Sequence, residues 1–352
     1  MSRPRIGIEE EFVLLDARTL APVSAQDLHH RVLGEVAGGG TLAREFATSQ
    51  TEAATTPILT LRQAGEQLRR IRGMLAQNAP NDTLVAAIGA PFLLTAAAEI
   101  SPSPHYADVS DLLGRLTSDH VVNGVHVHVE VDDDDARVRA LLRVRERLAV
   151  LLALSANSPF AGGAPAGHAS WRSALIRRLP VSWAPPAFHD ADEYHRTVDR
   201  LILMGALPAR SSVSWAVRLS DQYRTVETRV CDAQLSPDDT LLLAALIRAI
   251  VVTDDAVDHP VTPEVLDASL WLAARHGMDA RLPSVHGDAE GAWSAAERML
   301  DDLGPALEEV GDAEFVRAQL DRLRVEGTGS ERQLRAYESG GVPELARLLR
   351  HC

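Results

Sequence analysis

The sequence predicts an α+β fold in which a mostly antiparallel sheet comes first and helices fill the carboxy-terminal third. Three observations predict it. Short β-branched or alternating runs are scattered over the first two thirds. Apolar stripes with a period of 3.6 lie between them and dominate from about residue 263. No repeat and no low-complexity linker interrupts the 352 residues, so a single domain over 1–352 is expected.

In chain order, residues 5–15, 84–89, 121–131, 213–219 and 224–231 read as strands. Residues 61–78 read as a helix, because Leu61, Leu68, Ile71 and Leu75 form one stripe with arginine and glutamine opposite. Asp132 to Asp135 supply the acidic start of a helix expected to run to about Ala156, and Pro237-Asp238-Asp239 opens another through Val252. The helical third is expected to break at Gly277, Gly304 and Gly327–Gly329. The stretch 158–186 is rich in Gly, Pro, Ala and Ser yet holds Trp171, Arg172 and Trp183, so it reads as a functional loop.

Composition excludes several classes. The 35 basic residues are all arginine and face 49 acidic ones, a net charge of −14, which disfavours nucleic acid or an anionic membrane as partner. With no lysine, Schiff-base chemistry and a P-loop lysine are ruled out. Two cysteines, Cys231 and Cys352, make neither a disulfide framework nor a cysteine zinc site. Met1-Ser2-Arg3-Pro4-Arg5 lacks the shape of a signal peptide, and the longest apolar stretch, around Leu148 to Leu154, is too short to span a bilayer, so a cytoplasmic protein is expected.

Four segments carry chemistry. In Ile8-Glu9-Glu10-Glu11-Phe12, strand alternation puts Glu9 and Glu11 on one face and Ile8, Glu10 and Phe12 on the other. Two carboxylates one repeat apart repel unless a cation lies between them, although a run of three glutamates also occurs as a solvated charge stretch. Gly124-Val125-His126-Val127-His128-Val129-Glu130 has an apolar back and a His-x-His-x-Glu front, which suits a metal or a phosphate, or else a half-exposed amphipathic strand. In Thr225-Val226-Glu227-Thr228-Arg229, Glu227 and Arg229 share a face, with Arg218 on the preceding strand. They form either a structural ion pair or a place for a metal beside an anionic phosphate. Glu52 follows Glu45 by seven positions, so on one strand both share a face only across a bend or bulge. Such an oxygen-rich set with arginines suits Mg²⁺ or Mn²⁺ and phosphoryl transfer from a nucleotide without a P-loop. Cys231, two residues beyond Arg229, is expected on that same face as a packing residue, Trp271 and Trp293 as packing, and His29, His30, His189 and His195 as structural.

The segments Gly7–Phe12, Gly124–His128, Leu154–Phe160, Ala169–Ser173, Pro185–Phe188 and Val226–Asp232 together resemble the type 2 glutamate–cysteine ligase family of carboxylate–amine ligases, over about residues 6–350. That family is similar to glutamine synthetase in its catalytic domain. The resemblance implies a curved antiparallel sheet forming a funnel, flanked by helices, with ATP entering one end and substrate the other. It implies metal ligands at Glu9, Glu11, Glu52, Glu45, His126 and Glu227. It places His128 near ATP phosphate, Arg229 on the transferred phosphate, Arg218 on nucleotide phosphates and Arg172 on the substrate carboxylate. The implied reaction activates an acid as its acyl phosphate and passes it to an amine, as in a glutamate–cysteine ligase. A phosphotransferase acting on guanidinium groups and an inactive nucleotide- or metal-binding homologue are the alternatives. Small-molecule acid and amine partners follow, and the carboxy-terminal helices offer a candidate homodimer surface. Departures from the family pattern are Ala90 in Gly89-Ala90-Pro91-Phe92, Glu130 and Ala216, all expected near the substrate end.

Overall fold

The computed structural model describes residues 3–254, 257, 259–283 and 288–350; Met1, Ser2 and Cys352 lie outside the described residues. The first half of the chain forms β1 (Ile6–Asp16), α1 (Gln26–Val32), β2 (Gly34–Glu35), β3 (Thr41–Arg44), β4 (Gln50–Ala54), α2 (Leu61–Asn78), β5 (Thr83–Ala86), α3 (Pro104–Leu113), β6 (Gly124–Glu130), α4 (Asp134–Arg145) and α5 (Leu148–Ser155). A segment of short elements follows: β7 (Phe160–Ala161), β8 (Ala164–Pro165), α6 (Trp171–Ile176), β9 (Ser182–Trp183), α7 (Ala191–Leu203) and β10 (Ser214–Trp215). Then come β11 (Val217–Leu219), β12 (Thr225–Asp232), α8 (Pro237–Val252), α9 (Pro263–His276), β13 (Arg281–Pro283), β14 (Ala289–Gly291), α10 (Ala292–Glu309), α11 (Ala313–Glu326) and α12 (Gly329–Arg350).

The main sheet runs β11-β12-β6-β1-β4-β3-β2, and β5 pairs with the far half of β1. Every pairing within it is antiparallel. The α+β class and the antiparallel sheet are as expected. Its back face carries Ile6, Ile8, Val125, Val127, Val129 and Val226, all buried in one core with residues of α4, α5 and α8. Glu10 also points back, and the chain satisfies it there. Arg72 of α2 grips it at 2.6 and 3.0 Å, and the Thr240 hydroxyl donates to it at 2.5 Å. An unpaired carboxylate at that depth would cost several kcal/mol, on the order of 3–5.

Helix boundaries follow local chemistry. Thr60 caps α2 by accepting from the Gln63 amide, Asp133 caps α4 and Ser236 caps α8, with Pro237 in its first turn. The helix expected over 132–156 is two. Arg145 turns inward to donate to the carbonyls of Pro185 and Val261, Glu146 accepts from the Val261 amide, and the path resets at Arg147. Gly304 breaks nothing. Leu303 and Leu307 are fully buried on either side, and their packing carries α10 through Gly304-Pro305 to Glu309, just before Gly311, where φ is +71°. The hairpin β13–β14 replaces helix, and α12 bends at Gly340–Gly341. The expected strand 213–219 divides into β10 and β11 at Ala216. No helix among the described residues is long and apolar enough to cross a membrane.

Candidate active site

The sheet register assembles the front face. Opposed residues in an antiparallel pair share a face. Arg218 lies opposite Glu227, Glu227 opposite His128, His126 opposite Glu9, and Glu11 opposite Glu52. One polar band therefore crosses β11, β12, β6, β1 and β4. Glu45 joins it for a reason different from the bend expected. β3 and β4 form a hairpin in which Ala43 opposes Glu52, so Glu45, two residues past Ala43, belongs to the same face. In this hairpin's register, with 43 opposite 52, residues on opposed strands that share a face are an odd number apart.

Three groups of donor atoms, each within 4.8 Å of one another, emerge from this register: Glu9, Glu52 and His126; Glu9, His128 and Glu227; and Glu11, Glu45 and Glu52. His126 Nδ1 lies 3.1 Å from Glu9 and its Nε2 3.6 Å from Glu11. His128 Nε2 is 3.3 Å from Glu9 and 4.0 Å from Glu227, buried and without a hydrogen-bond partner, while its Nδ1 meets the Thr225 hydroxyl at 2.9 Å. Every metal-ligand candidate read from the sequence is thus brought together.

Electrostatics divides the acids. Burial, then the Glu45 charge, pushes the Glu11 carboxyl up to about 8; burial also raises Glu45 and, with three acidic neighbours, Glu52 well above the ordinary range. These acids are crowded in the way that a bound cation relieves. Burial penalises ionised Glu9 too, but the hydrogen bond with His126 and the nearby His128 ring hold it below the usual carboxylate range. Glu227 is likewise buried, and Arg229 and Arg218 hold it low. Arg218 clasps it at 2.6 and 3.1 Å, and Arg229 pairs with the same carboxylate. The remaining terminal nitrogen of Arg218 donates to the carbonyls of Ser211 and Val213. Burial, with Arg229 nearby, lowers His126 to about 4, so it is neutral near pH 7.

Arg172 approaches from α6, which Ser170 caps. Its terminal nitrogens donate to the carbonyls of Val230 and Arg229 and face buried Asp232 at 3.7 Å, leaving Nε buried and unpartnered. Asp232 in turn accepts from the Asn157 amide and from the hydroxyls of Ser158 and Ser170 at 2.7–2.9 Å. The pair leaves no room around it. A Cβ at Gly124 would sit 2.5 Å from Arg172, and one at Gly89 would sit 2.5 Å from the Asp232 carboxyl carbon.

Cys231 is not on the front face. Between Thr228 and Cys231 the register shifts by a bulge, so Cys231 opposes Val125 and joins the valine core as a free buried thiol. Glu130 corrects another expectation. It lines a cavity of about 280 Å³ with Ile6, Gly7, His128 and Tyr223, whereas Ala216 and Arg172 line a different one of about 120 Å³ with Glu11, Glu45 and Arg229. Sequence reasoning assigned no role to Asp232, Ser158 or Ser170, although all three lie in motifs it singled out. It also passed over His120 and Tyr106, and named Trp183 only as part of a functional loop. Tyr106 donates to Glu45 at 3.2 Å.

Residues 5–351 match the model of glutamate–cysteine ligase family 2. "Putative glutamate--cysteine ligase 2-2" of Saccharopolyspora erythraea is 38% identical over 98% of this chain and 91% of its own length. "Putative glutamate--cysteine ligase 2-1" of Nocardia farcinica is 35% identical over 96% and 90%. Among solved structures, glutamate–cysteine ligase of Francisella tularensis in complex with AMP superposes with a TM-score of 0.75 at 14% identity, covering 99% of this chain and 88% of that one. The last likeness speaks for the fold, and the first three for descent: the chain belongs to glutamate–cysteine ligase family 2, whose members are ATP-dependent ligases joining a carboxylate to an amine.

Proposed function

We propose that residues 1–352 act as one catalytic domain that activates a small acid with ATP as an acyl phosphate and transfers the acyl group to an amine. The observation that carries this reading is the linked set of three acid-rich groups, sharing Glu9 and Glu52, beside Arg218, Arg229 and Arg172. Glu9, Glu52, His126, Glu227, Glu11 and Glu45 would hold divalent cations, Mg²⁺ or Mn²⁺. The unpartnered His128 Nε2 and the crowded, proton-holding acids fit such ions. Bound cations would supply positive charge against the triphosphate and the acid carboxylate.

The chain's own residues account for the rest. His128 lines the larger cavity at Ile6–Ile8, where the nucleotide enters in this reading; Arg229 lines the inner cavity with Arg172, and Arg218 the cavity beside it. Arg172 Nε is a buried donor held in reserve for a substrate carboxylate. A carboxylate oxygen of the acid attacks the γ-phosphorus and the bond to ADP breaks. The amine nitrogen then attacks the acyl carbon, phosphate departs with the bonding electrons, and the nitrogen loses a proton. Arg229 lies between these events, since it reaches both Glu227 and His126. A cytoplasmic location accords with ATP consumption and with Cys231 as a free thiol.

The test is hydroxylamine trapping with ATP and Mg²⁺ across a panel of small acids. A hydroxamate formed with equal ADP supports the reading. ADP with a stable phosphorylated product would replace it by a phosphotransferase. ATP binding without turnover of any acid would favour a binding protein.

A further inference from the structure

Glu45 is held differently from the acids it joins on the front face. Glu9, Glu11 and Glu52 sit inside strands, where register fixes them, whereas Glu45 lies one residue past the end of β3. Its carboxylate has two donors: the Phe46 amide, and the Tyr106 hydroxyl at 3.2 Å, for which the Arg44 carbonyl at 3.5 Å is a poorer acceptor. Acids gathered with ligand atoms within 4.8 Å repel one another, and the one outside a strand is the one with freedom to swing away. The Tyr106 hydroxyl is what keeps Glu45 in the group with Glu11 and Glu52.

Tyr106 belongs to α3, and little else ties that helix to the body. The helix buries none of its residues and packs chiefly on the turn at 114–119 that follows it. The chain leaves the body after Ile100, which bridges Ala47, and the Ala98 amide closes the neck by donating to the Ser118 carbonyl at 2.8 Å. Pro104 opens α3, and Gly114, with φ of +54°, ends it. Among the described residues, Tyr106 is the one α3 side chain with a hydrogen bond or ion pair to the rest of the chain, and its ring stands edge-on to Phe46 at 5.5 Å. Val109, Leu112 and Leu113 of the same helix wall a cavity of about 170 Å³ that Glu45, Arg218 and Arg229 also line.

We propose, resting on the ligase reading for the cation, that Tyr106 is a positioning residue: it holds Glu45 for the cation shared with Glu11 and Glu52, and so joins occupancy of that position and the seating of α3 over the cavity in one equilibrium. A cation that takes one oxygen of Glu45 leaves the other fixed as the acceptor for Tyr106, and an outer partner of this kind sets the orientation of the ligand. The coupling is reciprocal: the cation seats α3, and a seated α3 tightens the cation.

The test uses the full chain with Mn²⁺ alone as the probe, read by calorimetry and by hydrogen exchange over 102–113. In the native chain Mn²⁺ should slow exchange there by about tenfold or more. Tyr106→Phe keeps the ring on Phe46 and removes only the hydroxyl. It should weaken one step of Mn²⁺ binding by about 10–100-fold and leave exchange over 102–113 the same with and without the ion. Val109→Ala loosens the same helix without touching the hydroxyl, so it should raise exchange yet keep the response to Mn²⁺, which separates positioning from mere support. A native helix indifferent to Mn²⁺, or a Tyr106→Phe chain with native affinity and response, would overturn the inference. Hydroxamate formation by the native chain reports separately on the ligase reading. Trapping that succeeds while α3 ignores the ion removes this inference alone, and a chain that neither binds Mn²⁺ nor traps removes both.

Discussion

Stripping divalent cations should make the fold lose stability as pH rises from 6.5 to 8, and Mg²⁺ should abolish that loss. Glu11, at about 8 against an ordinary 4.5, holds a proton in the folded chain that it gives up when unfolded. The folded state therefore binds more protons between those values, and stability falls as pH rises through that range. Glu45 and Glu52 act in the same direction. His120 and His126, lowered to about 4, act oppositely but only below about 6.5, and Glu9 and Glu227, held low, lose their contribution only in acid. The window 6.5–8 thus isolates the crowded carboxyls. At ~1.4 kcal/mol per pH unit for one group, it is worth ~2 kcal/mol. An unfolding entropy of ~2.1 cal/mol/K per residue over this chain makes that a Tm change of ~3 °C. The assay is calorimetric melting at half-unit pH steps in chelator and again in millimolar Mg²⁺. A melting point in chelator that is flat or rises over the window would refute the crowded corner. So would a slope that Mg²⁺ leaves untouched, because Asp232, also raised by burial, could then supply it alone.

Three further outcomes follow from named contacts. Glu227→Gln should reduce hydroxamate formation by about a thousandfold or more and lower stability by ~3–5 kcal/mol, since Arg218 and Arg229 lose their shared counter-charge; trapping and denaturant titration check both. Asp232→Asn should cost ~1–3 kcal/mol in denaturant midpoint, because its carboxylate accepts three hydrogen bonds beside Arg172, and should weaken the acid while leaving ATP binding by calorimetry unchanged. Gly124→Ala should displace Arg172, which lies 2.5 Å from the added Cβ, and cut turnover at unchanged ATP affinity.

Much of this site was legible in the sequence because strand alternation is a short-range rule. Once Glu9 and Glu11 lie on a buried strand, and His126 and His128 on another, only register decides whether they meet, and the valine backs fix the register by fixing which face is buried. The same rule failed where the backbone departed from it. A bulge after Thr228 turned Cys231 into the core, and a hairpin put Glu45 with Glu52 where a single strand would have parted them. Helix ends failed for a long-range reason: Arg145 and Glu146 break their helix for partners at Pro185 and Val261, which no local window contains.

The unread part is also the part that chooses substrates. Arg172 could be singled out by its type, but Asp232, Ser158 and Ser170, which hold it, lie 12 to 74 residues from one another in the chain, too far apart for any spacing rule. His120, Tyr106 and Trp183 come from turns and short elements whose path is set by packing. In the proposed reading the chemistry of activation therefore sits on the sheet, where alternation and register hold it. In the same reading selection sits on α3, α6 and the segment before β10, which wall the cavities beside the acids. A chain built in this way can change its amine while keeping its phosphoryl chemistry.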